Sequence, residues 1–167
     1  MNIPQYENLE KLKEQFKKNE LSINSFIQKL KKKKPKKLDD VVHELHIEAF
    51  SKFDCLTCAN CCKTISPIIT DKDIERISHS MKIKAVDFIA KYLKIDEDQD
   101  YVFKSSPCPF LMHDNYCIIY ENRPKACREY PHTDRARFYQ ILDLTFKNCE
   151  VCPVVYNIVN TLKTNEW

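Results

Sequence analysis

Nine cysteines are the residues of this sequence whose type and spacing point most directly to chemistry. Four of them fall in the stretch CLTCANCC, and a further Cys-x-x-Cys lies near the end of the chain. Two residues between cysteines allow both sulfurs to turn towards one ion, and soft thiolates favour Zn²⁺, Cu⁺ and iron–sulfur clusters. The candidate metal ligands are Cys55, Cys58, Cys61, Cys62, Cys108, Cys117, Cys127, Cys149 and Cys152.

A disulfide framework is the competing explanation for this number of cysteines. The count is odd, and the N-terminal residues contain no apolar stretch of the kind found in secretory signal peptides. No apolar run approaches the ~18 residues that span a membrane. We therefore predict a cytoplasmic protein without membrane contact, in which the cysteines stay reduced and bind metal.

Two metal chemistries fit the cysteine spacing. Two zinc sites with four thiolates each would use all but one of the cysteines. Alternatively, residues 55–61 resemble the compact run of bacterial ferredoxins, in which a distant Cys-Pro supplies another ligand, and Cys108 and Cys152 are each followed by proline. This run favours an iron–sulfur cluster of the [4Fe-4S] type and leaves Zn²⁺ open. Adjacent cysteines seldom bind one ion together, so Cys61 and Cys62 are expected to serve different sites, or one of them none.

The sequence contains no glycine, which excludes several common functions. The P-loop, the Rossmann turn and the nucleophile elbow of hydrolases each need a residue without a Cβ atom. No acid–base pair or nucleophile–base set stands out beside the cysteines. The catalytic residues are therefore unknown, and enzymatic activity is left open.

The elements that must position the cysteines are predicted to be mainly helical. Apolar residues at helical spacing predict two amphipathic helices in the N-terminal region, the first including Tyr6, and Pro35 should mark the end of the second. A helix over residues 39–50 then leads to the first cysteine. Thr70 begins a capped helix, whose acidic residues are interpreted as ordinary helix-start charges, and Pro153 suits the first turn of a last helix.

Shorter elements are predicted between these helices. Residues 85–93 should form a helix that turns Val86, Ile89, Ala90 and Leu93 inward, and residues 101–104 and 116–120 look like short β segments. The fold class predicted is mainly α with a small β hairpin. It consists of a compact, cysteine-rich, metal-stapled domain preceded by N-terminal amphipathic helices.

Charge divides the chain near residue 37. Residues 1–37 contain eleven lysines and four glutamates, whereas residues 38–167 carry more acidic than basic residues. We predict a basic helical extension over residues 1–37 and a cysteine-cluster metal-binding domain over residues 38–167. The lysine run at residues 31–37 lacks interleaved aromatic residues, so nucleic-acid binding is not expected, while a protein partner is left open.

The motifs of residues 53–153 resemble the CxxCxxCC cysteine-cluster family (YkgJ-like proteins), whose members are described as zinc- or iron-chelating. The resemblance rests on the cysteine quartet, on the Cys-Pro at Cys108, on CIIY at Cys117 and on RPKACREYP from Arg123. It implies metal binding. A more distant similarity to the cysteine-cluster module of flagellin lysine-N-methylases implies an iron–sulfur cluster and methyl transfer from S-adenosylmethionine, although this chain leaves little room for a methyl-donor domain.

Several basic side chains accompany the predicted ligands. Arg123 and Arg128 could contact the bound cofactor by donating N–H bonds to its thiolates, or they could pair with neighbouring glutamates. His132 could bind the metal or donate to one of its ligands. His43 and His46 lie three residues apart on a predicted helix and are weaker candidates.

Three functions remain in view. The favoured one is a metal-binding or cluster-binding module whose site is structural or carries electrons. The second is a metal-dependent enzyme with an open coordination position, acting in redox chemistry or in S-adenosylmethionine-dependent lysine methyl transfer. The third is an interaction adaptor that zinc holds folded.

Overall fold

A computed structural model describes residues 9–167, and its contacts form two units. Unit 1 consists of Met1–Asp54 and Pro131–Trp167, and unit 2 is the continuous segment Cys55–Tyr130. The helices of the described residues are, in chain order, α1 (Leu9–Lys33), α2 (Leu38–Phe50), α3 (Cys55–Cys58), α4 (Asn60–Thr64), α5 (Asp71–Ser80), α6 (Ala85–Tyr92), α7 (Lys125–Glu129), α8 (Leu142–Asn148) and α9 (Pro153–Lys163). The strands are β1 (Leu93–Ile95) and β2 (Tyr101–Phe103). This arrangement confirms a mainly α fold with a small hairpin, whereas the domain division at residue 37 stays a prediction.

Helix α1 buries one continuous apolar face in unit 1, where it packs against α8 and α9. The buried residues of this face are Leu12, Phe16, Ile23, Phe26, Ile27 and Leu30. The prediction of two separate helices is wrong, because Ile23 continues the apolar stripe and no proline interrupts it. The helix ends before Pro35, as predicted. Tyr6 lies outside the described residues.

The other helices of unit 1 complete its core. Helix α2 packs against α9, which begins at Pro153 as predicted. Part of the lysine run is engaged within the same unit: Lys31 Nζ lies 2.8 Å from Asp143 Oδ2, and Lys34 Nζ lies 5.8 Å from the centre of the Tyr139 ring. Two lysines of the run thus contact side chains of the same unit.

Unit 2 is organised around α5, α6 and the hairpin. The antiparallel strands pair Leu93 with Phe103, and the core gathers around Phe88 and Phe110. The inward face predicted for residues 85–93 is correct for Leu93, which is buried, and for Ile89, which packs against the core. It is wrong for Val86 and Ala90, which are exposed, while Phe88 is fully buried. The second predicted β segment contributes an isolated bridge between residues 111 and 117, so the hairpin partner of β2 is the preceding strand β1.

Seven described residues take the left-handed backbone conformation although the chain has no glycine. They are Lys34, Ala59, Lys82, Gln99, Asn115, His132 and Arg137. For a residue with a Cβ atom, this conformation is disfavoured by roughly 1–2 kcal/mol. At the end of α5, Lys82 allows the N–H of Ile83 to donate to the Ser78 carbonyl at 3.1 Å, which closes the helix.

Within residues 9–167, no helix combines the length and the apolar character needed to cross a membrane.

Candidate metal centre

The structure divides the nine cysteines between the two units. Unit 2 contains those of the quartet together with Cys108, Cys117 and Cys127, whereas Cys149 and Cys152 belong to unit 1. All nine lie in the described part of the chain and none of them forms a disulfide. The ligand role predicted for Cys149 and Cys152 stays a prediction.

The quartet lies on two very short helices joined by one left-handed residue. Ala59, at φ 50°, ends α3 and precedes α4. Its N–H donates to the Cys55 carbonyl at 2.9 Å, and its own carbonyl accepts from the N–H of Lys63 at 3.0 Å. The reversal at Ala59 therefore allows α3 and α4 to follow each other directly, with cysteines on both.

One cavity of unit 2 collects thiols from three separate segments. It has a volume of about 50 Å³ and is lined by Cys61, Cys62, Ile65, Pro67, Cys108, Ala126, Cys127 and Tyr130. The two adjacent sulfurs, Cys61 Sγ and Cys62 Sγ, lie 3.9 Å apart. Both adjacent cysteines line this cavity, while the expectation that they serve different metal sites, or that one of them serves none, stays a prediction. Apolar side chains and thiols thus form most of its wall.

Two hydrogen bonds to backbone carbonyls connect the segments that carry the thiols. The N–H of Cys108 donates to the Cys62 carbonyl at 2.8 Å, which joins the second thiol segment to α4. Asn115 Nδ2 donates to the Thr57 carbonyl at 3.2 Å. The segment that carries Cys108 and Cys117 is therefore tied to both short helices of the quartet.

The thiols differ in how readily they ionise. A hydrogen bond with Cys61 lowers the pKa of Cys62 to about 7 against the effect of burial, and the positive charges of Lys63 and Arg123 act in the same direction. Cys62 therefore ionises more readily than an ordinary thiol.

Burial has the opposite effect on the neighbouring thiols. It raises the pKa of Cys108 to about 11 and that of Cys127 to about 12, and the other thiols of the group add to both shifts. Burial also raises the pKa of Cys58 and of Cys117. Burial thus favours the protonated form of these four thiols, in contrast to Cys62.

Arg123 lies beside this group, held by an aromatic ring. Its guanidinium carbon is 3.9 Å from the centre of the Tyr120 ring, and its Nη1 donates to the Tyr120 carbonyl at 2.8 Å. Arg128 Nη1 donates to the Arg123 carbonyl at 2.6 Å. The predicted contact of either arginine with the cofactor stays a prediction, but Arg123 already acts electrostatically on Cys62 and Cys127.

A buried carboxylate that sequence reasoning treated as a simple helix cap reaches the same region. Asp73 is 1% exposed and accepts hydrogen bonds from Thr70, as the capping box predicts. It also accepts from Arg76 Nη2 at 2.5 Å and from the N–H of Lys125 at 3.0 Å. The capping motif was visible in the sequence, but the partner 52 residues away was not.

The histidines named from the sequence lie in unit 1. His43 Nδ1 is 2.6 Å from Asp134 Oδ1, and His46 Nδ1 is 2.8 Å from Thr133 Oγ1. His132 belongs to the same loop as these two partners. Both helical histidines therefore have partners in that loop, and their role as ligands stays a prediction.

The sulfurs surround the cavity without closing into a coordination sphere. Among residues 9–167, no group of three or more His, Cys, Asp or Glu side chains is spaced to hold a metal ion. The donor set nevertheless fits a thiophilic cation, since it offers several sulfurs on one cavity, one thiol with a lowered pKa, and basic side chains nearby. A bound cation would draw protons from the remaining thiols because it stabilises their thiolate form.

Comparison with known proteins gives one result for this region. Residues 54–153 match the family model CxxCxxCC, described as a "Putative zinc- or iron-chelating domain". Neither the curated proteins nor the solved structures contain a match to the chain.

Proposed function

Because the chain belongs to the CxxCxxCC family, we propose that the thiols of unit 2 chelate a single zinc or iron ion. The ligands are Cys61, Cys62, Cys108 and Cys127. The observation that carries this proposal is the cavity that these four thiols line. When bound, the ion supplies a cross-link between three chain segments, so its role is structural.

The spacing of the adjacent sulfurs supports one ion. In a tetrahedral zinc site, Zn–S bonds of about 2.3 Å place any two sulfurs about 3.8 Å apart. The sulfurs of Cys61 and Cys62 are separated by 3.9 Å. An iron–sulfur cluster instead binds thiolates at different irons, which keeps the ligand sulfurs further apart. The adjacent cysteines are therefore better suited to one ion than to a cluster.

The basic side chains near Cys62 favour a metal centre with four thiolate ligands. Four thiolates around a divalent cation leave a net charge of about −2, which burial makes unfavourable. Lys63 and Arg123 act on the thiolate of Cys62 and would offset that charge. A reducing compartment such as the cytoplasm would keep the ligands in the thiol form that metal binding requires.

Metal analysis of anaerobically purified protein tests the proposal. We expect about one zinc or iron per chain and no acid-labile sulfide. Cys62→Ser and Cys127→Ser should lose the metal, whereas Cys55→Ser should retain it, because Cys55 is exposed and does not line the cavity. Several irons with matching sulfide, or full metal content in both cavity variants, would overturn the proposal.

A further inference from the structure

We infer that Asp73 and Arg76 are positioning residues for the metal centre: they fix residues 122–125 and thereby the placement of Cys127. This inference rests on the proposed function, in which Cys127 is a ligand. It concerns side chains on α5, a helix that carries none of the proposed ligands.

The two side chains hold the segment before α7 through its backbone. Asp73 Oδ1 accepts from the N–H of Lys125 at 3.0 Å. Arg76 Nη2 donates to the carbonyl of Arg123 at 3.0 Å and lies 3.4 Å from that of Asn122. The same Nη2 donates to Asp73, so one ion pair offers both an acceptor and a donor to the segment.

A capping box alone does not require this arrangement. Its acidic residue only needs to reach back to the backbone N–H of the cap residue, as Asp73 does towards Thr70 at 3.1 Å. Here the carboxylate is also withdrawn from water, and Arg76 Nε is buried without a hydrogen-bond partner among residues 9–167. The guanidinium is therefore oriented by the bonds of its outer nitrogen, although this leaves Nε unsatisfied.

The segment that they hold has little stability of its own. Helix α7 has only five residues, too few to form without outside support. Lys125 is its first residue, and Cys127 follows two positions later. The carbonyl of Arg123 accepts from a second arginine, Arg128, and the Arg123 side chain acts on the thiolate of Cys62. Fixing residues 122–125 thus determines the position of the ligand Cys127 and that of the Arg123 charge.

Lys125→Pro removes one of these bonds and little else. Proline is accepted at the first position of a helix, and Pro124 already has the extended conformation, ψ 152°, that a residue before proline prefers. The matched control is Lys125→Ala, which keeps the backbone N–H and loses the same exposed side chain, including its 3.7 Å pair with Glu129. The two variants therefore differ mainly in the bond to Asp73.

Cobalt(II) serves as the probe, because thiolate-to-cobalt absorption reports binding and the ligand-field bands report coordination geometry. We expect Lys125→Pro to bind Co²⁺ about tenfold more weakly than Lys125→Ala and to show altered ligand-field bands at saturation, as loss of an orienting partner does in other metal sites. Arg76→Lys keeps the positive charge but loses the planar set of guanidinium donors. It should therefore also bind Co²⁺ more weakly than Lys125→Ala.

The outcomes separate the inference from its premise. If the natural protein binds no Co²⁺ through thiolates, the proposed function fails, and the inference fails with it. If the natural protein binds Co²⁺, while Lys125→Pro and Arg76→Lys match Lys125→Ala in affinity and spectrum, the inference alone is overturned. The inference is overturned in that case even if their melting temperatures fall, because a purely structural role would lower stability without changing the spectrum.

Discussion

Replacing Asp73 by asparagine should lower the free energy of unfolding by about 3 kcal/mol at neutral pH. The carboxylate is almost fully buried and accepts from two backbone N–H groups, from the Thr70 hydroxyl and from Arg76. Asparagine puts an NH₂ donor where one carboxylate oxygen accepts, so donors would face donors. Removing one partner of a buried ion pair costs about 3–5 kcal/mol, and Arg76, at 32% exposure, places this pair at the low end.

The effect should depend on pH in a defined direction. Burial by itself would raise the pKa of Asp73, but the hydrogen bonds from Thr70, Arg76 and Lys125 outweigh it and hold the pKa below its usual value. The stabilisation is therefore complete above the pKa of the unfolded chain, about 3.9, and is lost as the pH falls through the lower pKa of the folded state. The difference between the natural protein and Asp73→Asn should shrink below about pH 4.

Urea unfolding at a series of pH values measures this difference. With a denaturant slope of about 2 kcal/mol/M, the midpoint at pH 7 should fall by roughly 1.5 M. Reductant and chelator keep metal release from adding its own pH dependence. Asp71→Asn is the control, because Asp71 is an exposed residue of the same first turn and contributes only about 0.3–1 kcal/mol.

Two results would refute the reasoning. If Asp73→Asn lowers the free energy of unfolding at neutral pH by no more than Asp71→Asn does, the buried hydrogen bonds add nothing beyond the interaction with the helix dipole. If the decrease in the free energy of unfolding stays constant from pH 7 to pH 3, the effect of Asp73→Asn does not come from loss of the carboxylate charge.

Three further predictions concern single side chains. Lys82→Gly should raise the free energy of unfolding by about 0.5–1 kcal/mol in urea unfolding, because glycine accepts the left-handed φ of 57°, whereas Lys82→Ala should change little. Lys31→Ala should cost less than about 1 kcal/mol, and the loss should disappear in 1 M salt, since its pair with Asp143 is exposed. Cys149→Ala should cost about 1–2 kcal/mol through lost packing and keep the metal; loss of the metal would instead identify Cys149 as a ligand.

Features set by neighbouring residues were predictable from the sequence. The capping box at Thr70, the start of α9 at Pro153 and the helix over residues 39–50 all follow from residues within one or two turns. The cysteines could be recognised as a group because thiols at this density and spacing are typical of metal sites. Local chemistry therefore indicated both the helical fold and the kind of site.

Features set by distant contacts were not predictable. The two additional bonds of Asp73 and Arg76 join residues about fifty positions apart, and no local pattern indicates them. The inward face of α6 depends on which core lies beneath it, so Phe88 is buried and Val86 is exposed, although Ile89 and Leu93 face the core as the periodicity predicts. The placement of Cys61 and Cys62 on one cavity depends on the backbone reversal at Ala59, a residue that sequence patterns do not associate with a left-handed turn.

The discontinuity of unit 1 has a consequence for the order in which the chain folds during synthesis. Helix α1 leaves the ribosome first, but its packing partners α8 and α9 follow about a hundred residues later. At typical translation rates this delay is roughly 5–20 s, during which the apolar stripe of α1 remains uncovered and open to chaperones. Unit 2, which is continuous, is complete earlier, so a nascent chain can capture its metal before the terminal segments have met.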